Sequence, residues 1–247
     1  KTLTSENWTI ATDIEQRIQE KIERIGKPLK EWDIQIYRGI LTGYNEAFII
    51  DGATKEKLIA EDPKSAEIIK PLLRGRDIKR YKAEFADLWL INSHNGVKGK
   101  FPRIDVVKNY PAIYKHLRRY EKELVKRQDK GDHWTNLRNC AYLEEFEKEK
   151  IVWKRIGSVI RFQYDDTGSL CLDSTCFLTG KNIKFLIAFL NSKIGIRQLL
   201  ENSPKTGTGD VIISVQALEP LLVPDIPEFK QKPIVELVEK ILAGKER

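Results

Sequence analysis

Isoleucines recur at Ile14, Ile18, Ile22 and Ile25, a spacing that puts them on one face of a helix. Thr12 followed by Glu15 is a capping-box signature for its start, and Gly26 and Pro28 stop it. The stripe is narrow and the other face is charged, so this helix is expected to pack through one side only. In "YRGILTGYNEAFIID", two β-prone runs, Tyr37–Leu41 and Ala47–Ile50, flank Thr42, Gly43, Tyr44 and Asn45. Gly43 and Asn45 tolerate a left-handed backbone, so the stretch predicts a hairpin. Helices are predicted from Lys55 to about Ala60 and from Ser65 to Leu73, and "DLWLI" alternates like a strand. Tyr110 to Gln128 reads as one long basic helix with Ile113, Leu117, Tyr120, Leu124 and Arg127 on a broad face.

The pattern turns β again after that helix. "KIVWKRI" and "VIRFQYD" are predicted strands joined at Gly157 and Ser158, and "GSLCLDSTCFLTG" reads as a further pair. "NIKFLIAFLNSKIGIRQLLEN" is apolar helix, broken near Asn191–Lys193, and "SPKTGTGDVIIS" is a polar loop leading into a strand. The last helix has Pro233 in its first turn and Gly244 past its end, with Ile234, Leu237, Val238, Ile241 and Leu242 on one face. No repeat or low-complexity tract occurs. The order is mixed without regular βαβ alternation, so the expected class is α+β, with long helices at either end of a mixed sheet.

Composition narrows the function classes. The chain has 247 residues, 41% hydrophobic and 32% charged, which suits a packed core rather than disorder. No apolar run approaches the ~20 residues of a membrane span, and the start "KTLTSENWTI" has no apolar signal segment. The three cysteines, Cys140, Cys171 and Cys176, are an odd, sparse set that fits free thiols in a cytoplasmic protein. The 43 Lys+Arg against 36 Asp+Glu give a net charge of +7, which favours a polyanionic partner. The chain has no methionine, so it reads as a piece of a longer protein.

Catalytic patterns fail on spacing. "KTGTGD" has its lysine before the glycines and no helix directly after, unlike a phosphate loop. "NSPK" at Asn202–Lys205 lacks the second proline and the aromatic of an amino-methyltransferase loop. Asp225, Glu228 and Lys230 are too close, and too proline-broken, for a two-strand nuclease core. Cys171, Cys176, Cys140 and His133 could be imagined around zinc, but Cys171 and Cys176 sit in apolar runs where a thiol is a small hydrophobe. His94, His116 and His133 are scattered and read as hydrogen-bonding residues. No catalytic residue and no metal site is assigned.

Three loops carry chemistry suited to nucleic acid. "NSHNGVKGKFPRID" combines glycines with Lys98, Lys100, Arg103, Asn92 and Asn95; amide side chains can pair with adenine edges and Arg with guanine. "GDHWTNLRNC" puts Trp134, Asn136 and Arg138 on alternate positions, which an extended segment would aim one way. "SPKTGTGD" offers Lys205 and Thr206 beside bare backbone, a fit for phosphate. Between Lys70 and Lys82 stand Lys70, Arg74, Arg76, Lys79, Arg80 and Lys82 against Asp77 alone. Each feature also has a plain structural reading: Trp134 as core, the basic run as a solvated face, and the basic helix as internally paired through Glu121 and Glu123.

Taken in order, "YRGILTGYNEAFIID", "IIKPLLRGRDIKRY", "LWLINSHNG", the long helix, "WTNLRNCAYLEEFEKEKIVWKRI" and "LLVPDIPEFKQKPIVELVEKILAGK" resemble a TaqI-like C-terminal specificity domain. These are target-recognition domains of type II and IIG restriction-modification enzymes and related adenine-specific DNA methyltransferases. The resemblance runs from about Trp32 to Lys245. It implies a module that selects a site on double-stranded DNA, while an upstream domain of the same chain methylates adenine with S-adenosylmethionine. Members that also cleave add a nuclease domain, with Mg²⁺. On this reading residues 1–30 are a connector helix, 31–226 the recognition domain and 227–247 a C-terminal packing helix. Base readers are expected at Asn92, Asn95, Arg103, Trp134, Asn136, Arg138 and Arg161. Backbone contacts are expected at Thr42, Asn45, Arg74, Arg76, Lys79, Arg80, Lys98, Lys100, Lys205 and Thr206, with Thr42 and Asn45 holding the turn or touching phosphate. The alternatives are a helical assembly module of the same system, or a nuclease with an unrecognised active site.

Overall fold

The computed structural model describes residues 13–244. Its centre is a four-stranded antiparallel sheet in the order Ile34–Arg38, Thr175–Gly180, Lys150–Lys154, Phe162–Asp165. The register sets Phe177 beside Tyr37 and Val152, and Lys150 beside Asp165. Both faces of this sheet are covered. Val152 and Phe177 point into one apolar cluster, and Ile151, Trp153, Cys176 and Leu178 into another. A strand buried on both sides needs a continuous apolar run rather than alternation, which is why "KIVW" and "TCFL" read as they do. Phe177 and Trp153 are fully buried, each worth about 2–3 kcal/mol in apolar burial.

The first cluster is closed by a second sheet, Ile49–Asp51, Leu88–Ile91, Ile69–Leu73 and Leu170–Cys171, whose last pairing is parallel. The helices Gly52–Glu61 and Pro111–Arg118 also contribute side chains to this cluster. The second cluster takes in Ile183–Leu190 and the final helix, Glu228–Gly244. A two-stranded ribbon pairs Gly26–Pro28 with Leu222–Pro224, tying together residues on either side of the expected boundary at 30. The α+β class and the C-terminal helix are as predicted. Among the described residues no helix is long and apolar enough to cross a membrane.

Several local expectations are corrected. The hairpin at Tyr37–Asp51 does not form: Ile34–Arg38 pairs with Thr175–Gly180, and Ile49–Asp51 with Leu88–Ile91 in the other sheet. The intervening residues cross between sheets through a short helix, Asn45–Phe48. The helix expected over Ser65–Leu73 is a 3-10 turn, Pro63–Glu67, and then the strand Ile69–Leu73. Pro71 explains the change, since it has no N–H to continue a helix. The single helix expected over Tyr110–Gln128 does not form: a short helix, Val106–Asn109, precedes that span, and within it stand two separate pieces, Pro111–Arg118 and Glu121–Lys126. Pro111 starts the first of these two, and Tyr120 leaves helical geometry before the other. The predicted face is nonetheless turned inward: Ile113, Leu117, Leu124 and Arg127 are buried and Tyr120 is half-buried.

The strands Leu170–Cys171 and Thr175–Gly180 exist but lie in different sheets. The final helix begins at Glu228, so Pro233 lies within it and not in its first turn. Of its predicted face Val238 is buried, while Leu237 stays 59% exposed. The first helix spans Asp13–Ile25, and the expected cap Thr12 lies outside the described residues. Its isoleucines do not pack as expected: Ile14 is 70% exposed. The helix joins the fold at its C-terminal end, where Asp225 N–H donates to Ile25 O at 2.9 Å.

Candidate nucleic-acid interface

Arg127 follows the helix Glu121–Lys126 and is buried. Its guanidinium donates to the carbonyls of Thr42 and Asn136 and, at 3.1 Å, to that of Trp134. It also lies over the Phe48 ring at 4.5 Å. One side chain thus fastens the 42–45 crossing to the 134–136 turn. Beside it, Thr42 Oγ1 donates to Asn45 Oδ1 at 2.6 Å. Gly43 has φ +70°, and a Cβ there would meet Asp129 O at 2.8 Å, so glycine is required for both backbone and space. Burial pushes the Arg127 pKa down to about 10.

The loop at 92–105 is braced from within. Asn136, fully buried, donates from Nδ2 to Ile104 O at 2.8 Å and Ser93 O at 3.1 Å, and its Oδ1 accepts from Arg103 at 2.8 Å. Asn95, also buried, donates to Asn139 Oδ1 at 2.7 Å and accepts from Asp132 N–H at 2.8 Å. His94 Nδ1 accepts from Gly96 N–H at 3.1 Å, and His133 Nδ1 bonds Thr135 Oγ1 at 2.8 Å. Burial lowers the pKa of His94, His116 and His133 alike, so each serves as a neutral hydrogen-bonding ring.

The predicted readers therefore divide. Trp134, Asn136 and Arg138 do not point one way, because residues 134 and 135 form a turn and not an extended segment. Trp134 packs beside Tyr114, ring centroids 5.9 Å apart, and against the first core cluster. Asn136 and Asn95 spend their amides inside the protein. Asn92 is half-buried, its Oδ1 without a partner among the described residues. At the surface of the same loops stand Lys98, Lys100, Arg103 and Arg138. Lys100 reaches Ala141 O at 3.3 Å, and Arg138 pairs with Asp129 at 3.2 Å.

The basic run at 70–82 is partly spoken for. Arg74 forms a two-pronged pair with Asp77, both bonds at 2.9 Å. Lys79 pairs with Glu84 at 3.2 Å, and Arg80 donates to Asn191 O at 2.6 Å. Arg76 is exposed and lines a cleft with Arg161 and Lys154. Thr206 folds its own loop, accepting from Asp210 N–H at 3.0 Å, while Lys205 is exposed. That loop leads to the strand Val211–Ile212, paired with Ile156–Gly157. Arg127 and Lys154 escape sequence reasoning. The first sits on an otherwise apolar helical stripe, which is a usable signal. The second is one of two adjacent cations, with Arg155, at a strand end before Gly157, which is not.

The family model of the TaqI-like C-terminal specificity domain matches residues 70–221. That span includes the loops braced by Asn136 and the cleft at Arg76 and Arg161. No curated protein matches. Among solved structures, the chain is similar to the type IIL restriction-modification enzyme MmeI in complex with DNA: TM-score 0.63, 12% identity, 89% of this chain and 29% of that one. It is also similar to the type IIG restriction endonuclease BpuSI: TM-score 0.53, 15% identity, 90% of this chain and 28% of that one. The chain thus spans under a third of either enzyme, and at these identities the likeness is one of fold. The family match takes in more than half of the 247 residues, across both core clusters, and the chain belongs to the family of TaqI-like C-terminal specificity domains.

Proposed function

We propose that this chain reads a duplex-DNA sequence on behalf of a restriction-modification enzyme, and that adenine methylation, and cleavage where it occurs, are performed by upstream domains. The observation that carries this reading is the division of labour in the braced loops of a specificity-family member. Asn95, Asn136 and Arg127 use their polar groups internally, while Lys98, Lys100, Arg103 and Arg138 are left at the surface. A rigid platform with cations outside is what groove reading requires. Arg103 and Arg138 are the proposed base readers; Arg161, expected as a reader, shares a cleft with Arg76 and Lys154 and joins Arg76, Lys98, Lys100 and Lys205 as a proposed backbone contact. Thr42 and Asn45 hold the crossing, and Trp134, Asn95 and Asn136 hold the platform.

The sheets are antiparallel but for the short pairing of Leu72–Leu73 with Leu170–Cys171. Among the described residues no glycine-rich loop joins a parallel strand to a helix. S-adenosylmethionine, and any Mg²⁺, are proposed to belong to the upstream domains. The test is binding of the full-length enzyme to its target and to all single-base variants. Arg138→Ala should relax discrimination at one base pair by about 1–3 kcal/mol and leave nonspecific affinity nearly intact. Unchanged discrimination at every position would remove Arg138 from the readers. If about five phosphates are neutralised overall, log K against log salt should have a slope of about −4 to −5, and a flat response would defeat the electrostatic case. The exposed Ile14 and Leu237 favour a second reading, an assembly module; salt-independent self-association without DNA affinity would support it.

A further inference from the structure

Arg76, Lys154 and Arg161 come from three separate segments and line one open cleft of about 160 Å³, with Gly75, Gly157 and Ser158 in its walls. No acidic residue lines it. Among the described residues none of the three cations has a carboxylate partner. The acids nearest each in sequence are committed elsewhere: Asp77 to Arg74, Glu149 to the Tyr164 hydroxyl and Asp165 to Lys150. Three like charges in one cleft repel one another, and an anion placed among them relieves that repulsion.

The cleft is also shaped around Lys154. A Cβ on Gly75 would lie 2.9 Å from Lys154 Cγ, and one on Gly157 would lie 3.4 Å from its Cδ and Nζ. Residues without side chains on both flanks let the lysine stem lie between them. The backbone beneath is fixed, because Trp153 is fully buried and its Nε1 donates to Ile213 O at 3.2 Å. The lysine is therefore presented from the rigid end of a core strand.

We propose that this cleft is a seat for a single phosphate group, with Lys154 at its floor and Arg76 and Arg161 at its sides, and that in the working complex the phosphate comes from the DNA backbone. The proposal rests on the DNA-reading function above. It predicts a contact that holds the duplex in register and carries no sequence information.

The test uses Lys154→Met, which keeps the stem and removes the charge, and Gly75→Ala, which displaces the stem and keeps the charge. Both are measured on cognate and random duplexes across a salt series. One lost phosphate contact should reduce the salt slope by about 0.9 and weaken both duplexes about eightfold at 0.1 M salt. Gly75→Ala should lower affinity for both duplexes in the same direction. In parallel, inorganic phosphate is titrated into ¹⁵N-labelled protein. The amides of Gly75, Gly157 and Ser158 should shift in the wild type and not in Lys154→Met. Phosphate shifts with an unchanged duplex slope in Lys154→Met would overturn the DNA source and leave a free-phosphate site. No shifts and an unchanged slope would overturn the seat altogether while the DNA reading survives. If the wild type binds no duplex, the DNA reading fails, and the phosphate titration alone decides the cleft.

Discussion

Replacing Arg127 by Met removes the guanidinium that joins the 42–45 crossing to the 134–136 turn, and keeps an apolar stem against Phe48. Three carbonyls, of Thr42, Trp134 and Asn136, lose this donor, and Asn136 O keeps the Gly131 N–H at 3.1 Å. Bonds from an ionised group contribute about 1.5–3 kcal/mol each, or about 5–9 kcal/mol together. Against this stands the cost of burying the charge. The depression of the Arg127 pKa to about 10 sets that cost at about 3 kcal/mol. The difference, about 2–6 kcal/mol, is the destabilisation expected for Arg127→Met. Arg127→Lys should recover little, because an ammonium cannot span the positions that a planar fork serves. Urea unfolding gives the magnitude, and hydrogen exchange gives the place: peptides covering 40–46 and 131–139 should open, while the core strand 150–154 keeps its protection at matched global stability. In the full-length enzyme the variant should lose discrimination between target and single-base variants and keep its salt slope, since no phosphate contact is touched. A variant within about 0.5 kcal/mol of wild type, with unchanged exchange in both loops, would refute the reasoning.

Lys150 is fully buried, pairs with Asp165 across the sheet and donates to Phe146 O at 2.6 Å. Lys150→Met alone should cost about 3–5 kcal/mol in urea unfolding by stranding the carboxylate; adding Asp165→Asn should return part of it, and a neutral single mutant would contradict the pairing. Asn136→Ala removes donations to Ile104 O and Ser93 O and the acceptor for Arg103; it should cost about 2–3 kcal/mol and weaken every DNA sequence in proportion, whereas a variant of normal stability with altered base preference would make Asn136 a reader after all. Tyr110 is held in its phenol form up to about 12 by burial and by its hydrogen bond to Glu67. Because the folded pKa is raised, its contribution is complete below the ordinary tyrosine range and is lost as pH rises through about 12. Stability measured from pH 9 upward should therefore fall less steeply in Tyr110→Phe, and identical curves would rule this out.

Some of this was legible in the chain alone. The stripe Ile113, Leu117, Leu124, Arg127 is the buried face, even though the helix bearing it is in pieces. The break at Asn191–Lys193 holds because Ser192 caps the next helix, its Oγ accepting from Gly195 N–H at 3.0 Å. The alternating and continuous apolar runs mark most strands correctly. These are local facts, set by side-chain period, proline and capping, and each residue carries its own share of the signal. Strand partners are different. Tyr37–Leu41 and Ala47–Ile50 read as two arms of a hairpin, yet the strands that form there, Ile34–Arg38 and Ile49–Asp51, each find a better partner far along the chain, because pairing is decided by which faces must be buried together. The same holds for side-chain roles. Asn136 and Arg138 are two residues apart and equally suited to reading a base, but one lies inside a loop cluster whose carbonyls need donors and the other at its rim. Hydrogen-bonding capacity is a property of the residue type; whether it faces inward or outward is settled only when distant segments close around it, as Arg127 closes this one.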